Sequence, residues 1–132
     1  MNLGSSTLLL LTALLSLSAC DRGGGGGGGT GTEDGGEYRA VLQSPNGAEG
    51  AAAIELTGPG ILSVSGPGGG IFTVAAGTTR RVVVVNEPAA QVAFRVTMEE
   101  GQGPPTARVV EVVDGSDQPR ASLAGYSVTF SR

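Results

Sequence analysis

Between Glu37 and Arg132, apolar and polar residues alternate in short runs separated by clusters of Gly, Pro, Asn and Asp. A period of two places successive side chains on opposite faces of a strand. The alternation is strict over Gln91–Met98: Val92, Phe94, Val96 and Met98 face one way, and Gln91, Ala93, Arg95 and Thr97 face the other. Tyr126, Val128 and Phe130 alternate in the same manner with Ser127, Thr129 and Ser131. Further strands are predicted over Tyr38–Gln43, Ala52–Thr57, Ile61–Ser65, Ile71–Ala75, Arg80–Val85 and Ala107–Val113. Their separators are turn formers: Ser44-Pro45-Asn46-Gly47, Gly58-Pro59-Gly60, Gly66 to Gly70, Asn86-Glu87-Pro88, Gly101 to Pro105 and Asp114-Gly115-Ser116-Asp117. No window repeats at 3.6 residues with caps. Eight short strands spaced by about ten residues predict an all-β domain, an antiparallel two-sheet β-sandwich. Val82–Val85 and the group Val109, Val110, Val112, Val113 are apolar on both faces, which predicts central strands with both sides covered.

The N-terminal pattern is different. Leu8 to Leu17 is apolar except for Thr12 and Ser16. That length suits the apolar region of a secretory signal and falls short of the roughly 20 residues that span a bilayer. Leu17-Ser18-Ala19-Cys20 closes the run with the only cysteine of the chain. This segment resembles the lipobox of bacterial lipoproteins. The resemblance implies that a signal peptidase recognises Leu17, Ser18 and Ala19 and cuts before Cys20. The Cys20 thiol would then carry a diacylglyceryl group, the membrane anchor, and the new amino terminus would be acylated. Two or three acyl chains hold a protein stably where one is marginal. Met1–Thr7 departs from the family pattern in having no Lys or Arg. The alternative is an ordinary signal peptide cut elsewhere, which would leave Cys20 a free thiol without an intramolecular disulfide partner. Asp21 resembles the residue that retains enterobacterial lipoproteins in the inner membrane, or is the first polar residue of a linker. Both the cell membrane and the outer membrane therefore stay open, with the domain on the periplasmic or extracellular side.

Asp21 to Gly36 contains the run Gly23–Gly29 and no apolar side chain to bury. Such a segment is expected to be a flexible coil of root-mean-square span about 20 to 24 Å. A phosphate-binding glycine loop would need a preceding strand, a following helix and a lysine. The organisation that follows is a signal peptide over 1–19, lipidated Cys20 and linker over 20–36, and a β-sandwich over 37–132.

The formal net charge is −4, and all eight basic residues are arginine. An acidic balance with scattered arginines argues against nucleic acid as a partner. The chain has no histidine, so the commonest metal ligand and general base are absent. Lipidation of Cys20 would remove thiol chemistry, and there is neither a Gly-x-Ser-x-Gly elbow nor a lysine for a Ser-x-x-Lys pair. Catalysis would fall to carboxylates: Glu55, Glu99, Glu100, Glu111, Asp114 and Asp117 could supply a glycosidase-like pair. Such clefts usually carry aromatic platforms, yet this chain has no tryptophan and only five other aromatics, most at predicted core positions.

Asp114 and Asp117 are candidates for a calcium loop, with two carboxylates in a tight turn. The competing reading is a hairpin turn in which Asp114 caps its own backbone. Glu99-Glu100 reads as a solvated loop. Arg80-Arg81 could grip an anion, or one arginine is solvated and the other guards the strand end. Tyr38 and Tyr126 could present a binding face, or pack the core rim with the hydroxyl in water. Gly50 to Leu56 resembles a strand of the cohesin-like and immunoglobulin-like sandwiches of bacterial surface proteins, which implies a fold class and no ligand.

The function expected is therefore a membrane-anchored lipoprotein whose β-sandwich is a non-catalytic interaction or accessory domain. It would be monomeric, with no cofactor beyond the lipid on Cys20 and with an envelope protein or glycan as partner. The alternatives are a carbohydrate-binding or adhesion module, with or without stabilising calcium, and a carboxylate hydrolase.

Overall fold

The computed structural model describes residues 35–67 and 70–132. The segment expected to be a signal peptide, with Leu17, Ser18, Ala19 and Cys20, and most of the glycine-rich stretch lie outside the described residues. Among the described residues eight strands follow one another: β1 (Gly36–Gln43), β2 (Glu49–Thr57), β3 (Ile61–Ser65), β4 (Ile71–Ala76), β5 (Thr79–Ala90), β6 (Ala93–Met98), β7 (Thr106–Val113) and β8 (Ser127–Ser131). They form two four-stranded antiparallel sheets, ordered β3-β6-β1-β8 and β4-β5-β2-β7. The result is the predicted two-sheet sandwich. Only β4 and β5 form a hairpin within one sheet; every other connection passes from one sheet to the other.

The alternating residues form the interior. Val92, Phe94, Val96 and Met98 are all buried, opposite Ala52, Ile54, Leu56, Val82, Val84 and Val112 from the other sheet and beside Tyr38, Ala40 and Leu42 of β1. Tyr126, Val128 and Phe130 are half-buried against this core, while Ser127, Thr129 and Ser131 are exposed.

Three expectations need correction. The Val109–Val113 group lies in β7, at the edge of its sheet and not at its centre. A bulge explains its unbroken apolar pattern: Ile54 pairs with Val109 and Ala53 with Glu111, so Val110 is the extra residue. Inward positions therefore run Val109 then Val112, a spacing of three, and Val110 and Val113 stay half-buried. β5 is flanked by β4 and β2 as expected, but its outer side is not covered, and Val85 is 45% exposed. A two-layer sandwich covers one face of each sheet only. The Asn86-Glu87-Pro88 separator also lies inside β5. β2 partners jump from Val85 to Ala90, and Asn86 Nδ2 closes the resulting bulge by donating to the carbonyls of Glu49 and Ala90.

Core and surface aromatics should separate cleanly on unfolding. Phe94, 1% exposed, should lose about 3 to 5 kcal/mol of stability on Phe94→Ala, whereas Phe72→Ala, at a ring 63% exposed, should change it by no more than about 0.5 kcal/mol. Urea denaturation followed by circular dichroism measures both.

Candidate interaction surfaces

At the end of the sandwich where β1 turns into β2, a carboxylate is buried. Glu49 is 1% exposed. Counting back from Leu56, Ile54 and Ala52 by twos would point it outward, but a register shift between Glu49 and Ala51 turns it in. Gly50 permits this path, since a Cβ there would lie 2.4 Å from the Asp114 carbonyl oxygen. Glu49 Oε1 accepts from the Tyr126 hydroxyl at 2.6 Å and from Ser44 Oγ at 2.7 Å. Oε2 accepts from Arg120 Nε and Nη2 at 3.1 and 3.0 Å. Asn46 Nδ2 donates to the Tyr126 oxygen. Burial pushes the Glu49 carboxyl up, but the hydrogen bonds from Tyr126, Ser44 and Arg120 outweigh it and hold the group below the usual glutamate value. The cluster ties the β1–β2 turn to the β7–β8 connection.

Asp114 borders this cluster. Its Oδ1 accepts from the backbone N–H groups of Ser116 and Gln118, and Oδ2 lies 3.8 Å from Arg120 Nη1. The Gln118 and Ser116 hydrogen bonds hold its carboxyl below the ordinary range. Asp117 occupies a left-handed turn position at φ 60° and lines a different groove, with Glu87 and Pro88. No group of three or more His, Cys, Asp or Glu side chains is placed to share a metal ion among the described residues. The hydroxyls of Tyr38 and Tyr126 are both bonded within the protein: Arg132 Nη2 donates to Tyr38 at 2.7 Å, and its guanidinium lies 5.0 Å from the ring centre.

The two outer faces differ in kind. On the β3-β6-β1-β8 sheet, Ser65, Arg95, Arg39 and Ser131 stand in one row across all four strands, and the first three line a groove of about 540 Å³ with Glu37, Pro67 and Phe94. Glu37 pairs with Arg95. On the β4-β5-β2-β7 sheet, Phe72 stands beside Val83 and Ala53, and Val85 beside Ala51 and Val113. The small alanines leave a shallow trough of about 170 Å³. Val74, Arg81, Glu55 and Arg108 form the next row, where Glu55 accepts from Arg108 at 3.1 Å and Arg81 at 3.5 Å. The Arg108 bond, with Arg81 beside it, lowers the Glu55 carboxyl. Of the paired arginines, Arg81 thus holds Glu55, and Arg80 reaches the other sheet and donates to the carbonyls of Ile61 and Leu62. Glu99 and Glu100 are exposed just beyond β6.

Sequence reasoning singled out neither Glu49 nor Arg120. An isolated glutamate after a turn carries no pattern, and a bulge alone decides that it faces inward.

Removing Glu49 deprives Tyr126, Ser44 and Arg120 of their buried acceptor, so Glu49→Ala should cost about 2 kcal/mol. A double-mutant cycle with Arg120→Ala should show coupling above about 1 kcal/mol. The folded pKa lies below the unfolded value of about 4.3, so the contribution is complete well above that pH and is lost as pH falls through the folded pKa. Unfolding curves of wild type and Glu49→Gln should therefore differ at pH 7 and converge in acid.

No family model, curated protein or solved structure matches this chain.

Proposed function

We propose that this protein is a bacterial lipoprotein, anchored through lipid on Cys20, whose β-sandwich is a non-catalytic docking module held outside the cell membrane or outer membrane. The observation that carries the reading is the coincidence in the sequence of an apolar run, the tetrad Leu17-Ser18-Ala19-Cys20 and a glycine-rich segment leading to the domain. A lone cysteine in an exported chain has a use if it carries lipid. Two physical features support docking over chemistry. Among the described residues the most buried carboxylate, Glu49, is saturated by four hydrogen bonds, and an apolar face with Phe72, Val74 and Val85 is open to solvent. A glycan-binding surface would set aromatic rings in a row, yet Tyr38 and Phe94 are buried, Tyr126 and Phe130 half-buried, and Phe72 stands alone. Protein is therefore the partner class that this surface favours.

Intact-mass measurement on membrane-extracted protein tests the anchor. The wild type should begin at Cys20 with the added mass of a diacylglyceryl group, and Cys20→Ala should lose both the lipid and the membrane association. A soluble wild type of unmodified mass would overturn the reading.

A further inference from the structure

The four sheet edges are not equally protected. A bare edge exposes unpaired N–H and C=O groups, and proteins blunt it with charge, proline, bulges or cover. On β3 the ladder is broken by a bulge between Ile61 and Ser63, and Arg80 occupies the carbonyls of Ile61 and Leu62. β7 carries its own bulge, with Arg108 and Glu111 on its outer face. Its end is also covered by the returning chain, through the Val113–Pro119 bridge and the bond from Arg120 N to the Val112 carbonyl. β8 is five residues long and presents Ser127, Thr129 and Ser131 outward. β4 has no charge, proline, bulge or cover, and unlike β8 it presents large apolar side chains outward, Phe72 and Val74. Ile71-Phe72-Thr73-Val74-Ala75-Ala76 contains no charge and no proline, and it pairs with β5 in unbroken register.

Its geometry suits a second copy of itself. Val85 N donates to the Gly70 carbonyl, so Gly70–Val85 is a hydrogen-bonded pair of the β4–β5 ladder. By the two-residue repeat of an antiparallel ladder, Phe72 and Val74 turn their backbone groups to β5, while Ile71, Thr73 and Ala75 turn theirs to the open edge. We infer that two copies associate through antiparallel β4–β4 pairing centred on Thr73. In this register Thr73 faces Thr73 of the second copy and Ile71 faces its Ala75, so all three edge-facing residues exchange N–H···O bonds. Phe72 then stands directly opposite Val74 of the second copy, twice, in the close non-hydrogen-bonded positions where aromatic and β-branched side chains pair well. Those two side chains are 63% and 71% exposed in the single domain. The twofold makes one eight-stranded sheet whose outer edges are both the guarded β7, so assembly stops at two. Charge agrees with self-association at this place: in a chain of net charge −4, β4 contributes no charge to the contact. The pairing is an alternative to the monomer expected from the sequence. It uses the domain alone and does not depend on the lipid anchor, although confinement to one membrane would raise the effective concentration.

Sedimentation velocity of the full chain, under reducing conditions and across a range of protein concentrations, tests the inference. The wild type should pass from monomer to dimer. Thr73→Pro deletes an N–H that β5 does not use, a change tolerated on an edge strand, and removes both central bonds. It should raise the dissociation constant about thirtyfold. Val74→Lys, at a side chain already in water, should weaken the dimer while leaving the circular dichroism spectrum unchanged. Thr73→Cys should give a disulfide-linked dimer on mild oxidation, beyond any formed by the wild type. A wild type that stays monomeric at every concentration would overturn the inference, as would a dimer indifferent to both Thr73→Pro and Val74→Lys. Lipidation measured by mass is a separate result, so failure of the anchor and failure of the dimer are told apart.

Discussion

The interior of this domain is a single slab of side chains between two sheets, and each strand must keep its alternate residues within it. Shifting a strand by one residue turns its whole apolar set to solvent. Because nearly all connections cross between sheets, hairpin geometry sets register only at β4–β5. Elsewhere the burial of Ile54, Leu56, Val82, Phe94 and Val96 has to set it. Bulges absorb what does not fit the period. Val110 is set aside so that Val109 and Val112 both face inward, and the shift after Glu49 brings a carboxylate into the slab.

That carboxylate shows how the ends are closed. Where the alternation lapses, the chain substitutes polar contacts of high satisfaction: Ser44, Tyr126 and Arg120 complete Glu49, and no described buried side-chain polar atom lacks a partner. Such a cluster gains little over an apolar plug of the same size but is costly to break. It makes the β1–β2 turn and the β7–β8 connection a single unit. The rigid slab and its pinned end leave the outer faces and edges to carry whatever the domain docks.

Most of the strands were legible because alternation is a local signal that survives where the inner face is well buried, as in Val92 to Met98, whereas β3, predicted at its observed limits, is bounded by the turn formers on either side of it. The edge position of β7 was not legible, because four valines around a bulge look the same as a strand covered on both faces. The length of β5 was misread since Asn86-Glu87-Pro88 is turn-forming chemistry used inside a bulge. Of the candidate site residues, Asp114 is met as a backbone cap beside Arg120, while Leu17 to Cys20 lie outside the described residues. Glu49 and Arg120 left no local trace. They are 71 residues apart, and their meeting depends on the stacking of the sheets.

What distinguishes this sandwich is one open edge, β4, that presents apolar side chains, where β3 and β7 are guarded and β8 is polar. Residue-resolved amide hydrogen exchange of the full chain at low and high protein concentration reads that edge directly. Phe72 and Val74, bonded to β5, should exchange slowly at both concentrations, whereas Ile71, Thr73 and Ala75 should exchange fast when dilute and slow when concentrated. Equal rates for these three amides at both concentrations would contradict an edge that pairs with its own copy.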